Sequence, residues 1–187
     1  MREVLNALIG HAHNQPDHPA ILDGIGCMTY AELSDAVCRT AAWAAESLPA
    51  TVGLLAPKDR RAIIWHLALA WAGRTIVPLP DFFAPAQLAH LVQDAGIAAV
   101  LAAPEAVEFA WSFCPMVITP QLAATASAEP VGEVRCIIYT SGTTGHPKGV
   151  VLGERQLNAS VRAMVEAIGA SAEDRMLSVL PFALLLE

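Results

Sequence analysis

The stretch Thr51-Val52-Gly53-Leu54-Leu55-Ala56, followed by Asp59–Ala72 and then by Thr75-Ile76-Val77-Pro78-Leu79, decides the fold. The first run is short and apolar almost throughout, as a strand buried on both faces must be. In the middle piece Ile63, Ile64, Leu67, Ala68 and Trp71 recur at helical spacing, and Gly73 stands where a helix ends in a left-handed residue. The last run is β-branched and closed by Pro78 and Pro80. A strand, a helix and a strand in that order imply a crossover and two parallel strands in one sheet.

The same rhythm continues on both sides. Downstream, Pro85 suits a first helical turn, the helix runs to Ala95, and Gly96 stops it. A strand over 97–101, a helix over 105–113 and a strand over 116–119 follow, although the alternation of Phe109, Trp111 and Phe113 fits a buried strand edge as well as a helix. Upstream, a helix over 2–13 leads to a small hairpin, 20–23 with 27–29, turning through Gly24-Ile25-Gly26. Thr29 and Glu32 form a capping box for a helix whose Leu33, Val37, Ala41, Ala44 and Leu48 share one face. The expected fold class is therefore α/β, a mostly parallel sheet with crossover helices. Residues 1–118 form its main unit, 119–133 a connector rich in Ala, Thr, Ser and Pro, and 134–187 a third part.

Composition narrows the function. The chain has 187 residues, 55% of them apolar and 16% charged, which excludes intrinsic disorder. A net charge of −7 with eleven basic residues gives no footprint for nucleic acid or an anionic membrane. The apolar stretches 62–73 and 176–186 fall short of the roughly 20 residues of a membrane span. No basic leader precedes an apolar run, so a cytoplasmic protein is expected. Cys27, Cys38, Cys114 and Cys136 include no C-x-x-C pair, so neither a metal frame nor a disulfide frame is expected. His11, His13 and His18 read as solvated histidines at a helix end, His66 as a core residue, and Glu105 and Glu108 as a solvated face.

The segment with chemistry in it is Arg135-Cys136-Ile137-Ile138-Tyr139-Thr140-Ser141-Gly142-Thr143-Thr144-Gly145-His146-Pro147-Lys148-Gly149-Val150-Val151-Leu152. Two apolar strands enclose hydroxyls, glycines and one lysine. A plain turn needs one glycine and an Asn or Asp; it does not need this density of hydroxyls beside a cation. Glycines allow close backbone approach, successive amides form an anion nest, and Lys148 adds a mobile positive charge. The G-x-x-x-x-G-K-[ST] phosphate loop does not fit, because Gly149 follows Lys148. His146 reads as a loop-tip side chain.

Residues 139–150 resemble the phosphate-binding signature of the adenylate-forming (AMP-binding) superfamily, which includes acyl-CoA synthetases, amino-acid-activating adenylation domains and luciferases. Met28-Thr29-Tyr30-Ala31-Glu32-Leu33 and Trp71-Ala72-Gly73 leading to Val77-Pro78-Leu79 resemble its upstream segments. The resemblance implies that a carboxylate attacks the α-phosphate of ATP, and that a thiol of coenzyme A or of a carrier protein then displaces AMP. It implies that Thr140, Ser141, Thr143, Thr144 and Lys148 hold the phosphates, Thr144 also meeting Mg²⁺, while Gly142, Gly145 and Gly149 shape the loop. A fatty acyl-type CoA ligase is the leading expectation. An amino-acid-activating adenylation domain and a catalytically incomplete binding module are the alternatives.

Two positions depart from the family pattern. Leu184 stands where relatives carry a histidine after Leu-Pro, and Leu152-Gly153-Glu154 replaces a Leu-Thr-His-like run. The adenine-binding segment and the C-terminal domain of such enzymes are expected to lie outside this chain, which alone is expected to be inactive. The apolar end, 176–186, is expected to leave an uncovered surface open to self-association.

Overall fold

The computed structural model describes residues 1–123, 130, 132–140, 147–179 and 183. Its centre is a six-stranded sheet. Strands β3 (Thr51–Leu55), β4 (Thr75–Pro78) and β5 (Ala99–Ala102) occupy the middle, β6 (Val117–Ile118) lies outside β5, and β7 (Arg135–Thr140) and β8 (Lys148–Gly153) extend the other side. The order is β6-β5-β3-β4-β7-β8. All pairs are parallel except β7 with β8. Strands β1 (Pro19–Asp23) and β2 (Gly26–Thr29) form a separate antiparallel hairpin. This is the α/β class expected from the strand–helix rhythm.

Alternating residues divide the sheet into two buried faces. Val52, Leu54, Ile76, Leu101 and Cys136 join one core with residues of α1 (Arg2–Asn14), α2 (Tyr30–Ser47) and α3 (Arg60–Trp71). Leu55, Val77, Leu79, Val100, Ala102 and Tyr139 join the other with Leu88 and Leu91 of α4 (Pro85–Asp94) and Ala110 of α5 (Val107–Trp111). Gly53 marks how closely the central strands approach this second layer. A Cβ there would lie 3.0 Å from Leu79 Cδ1 and 3.2 Å from Val100 Cγ2.

Local signals act as the sequence implies. Thr29 Oγ1 accepts the Glu32 N–H at 3.3 Å and Glu32 Oε2 accepts the Thr29 N–H at 2.8 Å, which satisfies two donors at the start of α2. Gly73 and Gly96 end their helices with φ of 65° and 62°.

Other features decide between the readings or go beyond them. Trp111 lies in a helix, and Phe109 and Phe113 meet edge to face at 5.5 Å, so the aromatic alternation belongs to a helical turn and not a strand edge. Glu105 is not merely solvated: it pairs with Arg61 at 2.6 Å. Asp23 of the hairpin takes a two-pronged ion pair from Arg60, with Arg60 Nε to Oδ2 at 2.9 Å and Nη2 to Oδ1 at 2.6 Å, and it also accepts the Arg60 backbone N–H. That pair holds the Asp23 carboxyl well below its usual range and fixes the hairpin to the start of α3. His11 packs against the Tyr30 ring at 4.8 Å and lies 2.7 Å from Gln15 Nε2.

Helix α6 (Glu154–Ile168) contains no buried residue. It is tied to α1 by Arg2 with Glu154 and by Arg162 with Glu3, and Asn158 accepts a hydrogen bond from the Met1 α-amine. At the end of the described chain, Met176, Leu177 and Val179 are 77%, 82% and 66% exposed. Among the described residues, no helix is long and apolar enough to cross a membrane.

Candidate nucleotide site

The carboxyl ends of β3, β4 and β7 lie along one edge of the sheet because these strands are parallel. The β3 connection leads to α3 in one helical layer, whereas the β4 connection leads to α4 in the other. Connections that leave to opposite sides open a crevice between the strand ends, the usual ligand position in such sheets. Here that crevice is a cavity of about 160 Å³ lined by Leu54, Ala56, Lys58, Pro78, Leu79 and Asp81, with Val179 and Ala183 over it. Sequence reasoning missed Lys58 and Asp81. Their neighbourhood follows from strand order, which no local pattern encodes.

Strand β7 ends at Thr140 on this same edge, and β8 starts opposite it at Lys148. The two residues are direct cross-strand partners, so they share one face of the ribbon. Both are exposed. Ser141, Gly142, Thr143, Thr144, Gly145 and His146, which carry most of the expected phosphate contacts and the expected Mg²⁺ contact at Thr144, lie outside the described residues. Leu184, noted for replacing a histidine, lies outside them too.

Gly149 belongs to β8 and does not sit in a bend; its φ is outside the left-handed region. Its need for glycine is lateral. A Cβ at Gly149 would lie 3.1 Å from both Tyr139 Cζ and Ile137 Cγ2. Tyr139, 5% exposed, fills that space and donates its hydroxyl hydrogen to Asp94 Oδ2 at 2.5 Å. Burial, and then the Asp94 carboxylate, raise the Tyr139 pKa, so its hydroxyl stays protonated at neutral pH.

The chain has two lysines, Lys58 and Lys148, and both lie at this edge of a protein of net charge −7. A hydroxyl beside an ammonium group at an exposed strand end suits phosphate oxygens. The other reactive groups fit this chemistry less well. Burial pushes the Cys136 thiol up to about 12, which removes it as a nucleophile, and desolvation holds His66 down to about 4 on α3. No group of three or more His, Cys, Asp or Glu among the described residues is placed to hold a metal ion. Thr140, Lys58 and Lys148 are thus exposed polar groups at the same edge of the sheet.

Known proteins resemble this chain. The chain is 33% identical over 193 residues to nonribosomal peptide synthetase 8 of Aspergillus fumigatus, matching 95% of this chain and 2% of that protein. It is 32% identical over 178 residues to nonribosomal peptide synthetase ecdA of Aspergillus rugulosus, matching 88% of this chain and 2% of that protein. Among solved structures, o-succinylbenzoate CoA synthetase of Bacillus subtilis, in complex with its acyl-adenylate intermediate, superposes with a TM-score of 0.78 at 23% identity. That match covers 94% of this chain and 49% of that one. The chain thus spans a small part of these synthetases and about half of the CoA synthetase. The family described as AMP-binding enzyme matches residues 9–187, and the chain belongs to it, within the adenylate-forming superfamily.

Proposed function

We propose that the chain is the N-terminal part of an adenylation unit that activates an amino acid with ATP and passes it to a carrier-protein thiol. The observation that carries this reading is the likeness to two nonribosomal peptide synthetases above 30% identity, over 95% and 88% of the chain. The CoA synthetase is a neighbour below 25% identity and speaks for the fold alone. A fatty acyl-CoA ligase, the leading expectation from sequence, is therefore the less supported choice, and coenzyme A yields to a carrier-bound thiol as acceptor.

In this reading ATP enters as its magnesium complex, and the segment between Thr140 and Lys148 holds its phosphates. Lys148 neutralises charge on the β- and γ-phosphates as pyrophosphate departs, and the Thr140 hydroxyl donates to a phosphate oxygen. Most of the catalytic effect of such sites is positioning and charge neutralisation.

The test is ATP–pyrophosphate exchange by the intact protein containing this chain, with amino acids and fatty acids supplied separately. Amino-acid-dependent exchange is expected. Lys148→Ala is expected to slow it by about 10- to 100-fold, the worth of one charge-assisted contact, without moving the thermal midpoint. Exchange driven by fatty acids alone would return the assignment to the CoA ligases. An unchanged rate in Lys148→Ala would remove that residue from the site.

A further inference from the structure

The β7–β8 ribbon outruns its support. The ladder between β4 and β7 pairs Thr75 with Arg135 and Ile76 with Cys136, and there it stops. Pro78 gives the reason. Leu79 donates its N–H to Leu54 of β3 at 2.9 Å, so the preceding residue is directed toward β7, and proline has no N–H to offer. From Ile137 to Thr140, β7 pairs only with β8 among the described residues. A two-stranded ribbon is marginally stable in water on its own, and here Ile137 and Ile138 are half-buried against the two cores while the ladder beyond them ends in solvent. Yet this one carries Thr140 and Lys148 at its far end.

One side chain reaches back from that end. Tyr139 immediately precedes Thr140, and its ring lies in the core shared with α4 and α5. Its hydroxyl meets Asp94, the last residue of α4, 45 positions earlier in the chain. On the ribbon's other strand Gly149, the direct partner of Tyr139, leaves no room for a side chain between itself and the ring. The ring is thus held by α4 at its tip and backed by β8 along its side.

We propose that the Tyr139–Asp94 hydrogen bond is a strut that positions the outer end of the β7–β8 ribbon, and with it Thr140 and Lys148, which flank the phosphate-binding segment in sequence. Tyr139 and Asp94 are positioning residues; neither is assigned a contact with nucleotide. The inference rests on reading that segment as the triphosphate site, and the test separates the two.

The experiment compares Tyr139→Phe and Asp94→Asn with the parent in the intact protein. Phenylalanine keeps the ring and removes the donor. Asparagine keeps an acceptor oxygen in nearly the same place. Tyr139→Phe is expected to speed amide hydrogen exchange about tenfold at 138–140 and 148–150, the equivalent of losing one buried hydrogen bond, while β3 and β4 exchange as before. The KM for MgATP is expected to rise by a similar factor, with kcat and the KM for the amino acid little changed. Asp94→Asn is expected to stay within about twofold of the parent in both measurements, since the hydrogen bond is retained. Unchanged exchange in Tyr139→Phe, or an Asp94→Asn variant as perturbed as Tyr139→Phe, would overturn the strut. Faster ribbon exchange with an unchanged KM for MgATP would uphold the strut and overturn the triphosphate reading.

Discussion

Strands β3, β4 and β5 have almost every residue buried, whereas β8 is exposed at four of its six positions and α6 buries nothing. The two regions belong to one sheet, yet they are stabilised differently. The central strands are covered by helices on both faces, so their side chains leave water on folding and contribute through area and close packing. The β8–α6 arm is attached at a few points: the β7 ladder, the Tyr139 hydroxyl on Asp94, and the pairs joining α6 to α1. Along α6 an apolar stripe starts at Leu157, against the core, and runs out to Ile168 at 75% exposure. The body supplies rigidity, and the arm is the part that meets solvent. A binding segment on such an arm takes its geometry from a few discrete contacts, each open to a single substitution.

The contrast can be broken most forcefully from the body. Leu101→Ala, at a fully buried position of β5, is expected to cost about 2–5 kcal/mol in denaturant unfolding, through lost burial and the cavity left behind. A loss under 1 kcal/mol would mean that the central sheet is not the stable half.

Acid sharpens the contrast next. His66 is neutral in the folded protein, with its pKa held down to about 4 by burial against 6.5 in an exposed state. The unfolded chain therefore binds the extra proton between these values, and stability falls as pH drops from about 6.5 to 4. The slope from this group is at most about 1.4 kcal/mol per pH unit. Asp23 and Asp59, whose arginine partners lower their pKa values, give up their contributions at lower pH still. Unfolding midpoints of His66→Leu measured across this range are expected to lose most of the slope. An equal slope in the variant would place the acid sensitivity elsewhere.

The smallest effect belongs to the arm. Ile168→Ser is expected to change stability by no more than about 0.5 kcal/mol, because that side chain is already in water. A loss of 2 kcal/mol would show that α6 is covered in the protein as tested.

Much of the body was legible in sequence because its signals are local. The Thr29–Glu32 box, the glycines at 73 and 96, and the β-branched run 75–77 each act within a turn or two of the chain. The apolar periodicity of Leu33, Val37, Ala41 and Ala44 matches their burial. What stayed hidden depends on contacts far apart in the chain. Nothing near Asp23 announces that it will accept the N–H and guanidinium of Arg60, and nothing near Asp94 points to Tyr139. The crevice between Ala56 and Leu79 needed the strand order, which places β3 between β5 and β4. At the candidate site the motif at 139–150 carried the family resemblance, which implied that Gly149 shapes the loop. Its tight fit against Tyr139 required coordinates.

The placement of both lysines has a practical side. Lys58 and Lys148 are exposed, and they are the chain's only ε-amines. Amine-directed labelling, whether by reductive methylation or by an activated-ester fluorophore, would therefore decorate a single rim of the sheet and leave the opposite rim free of side-chain labels.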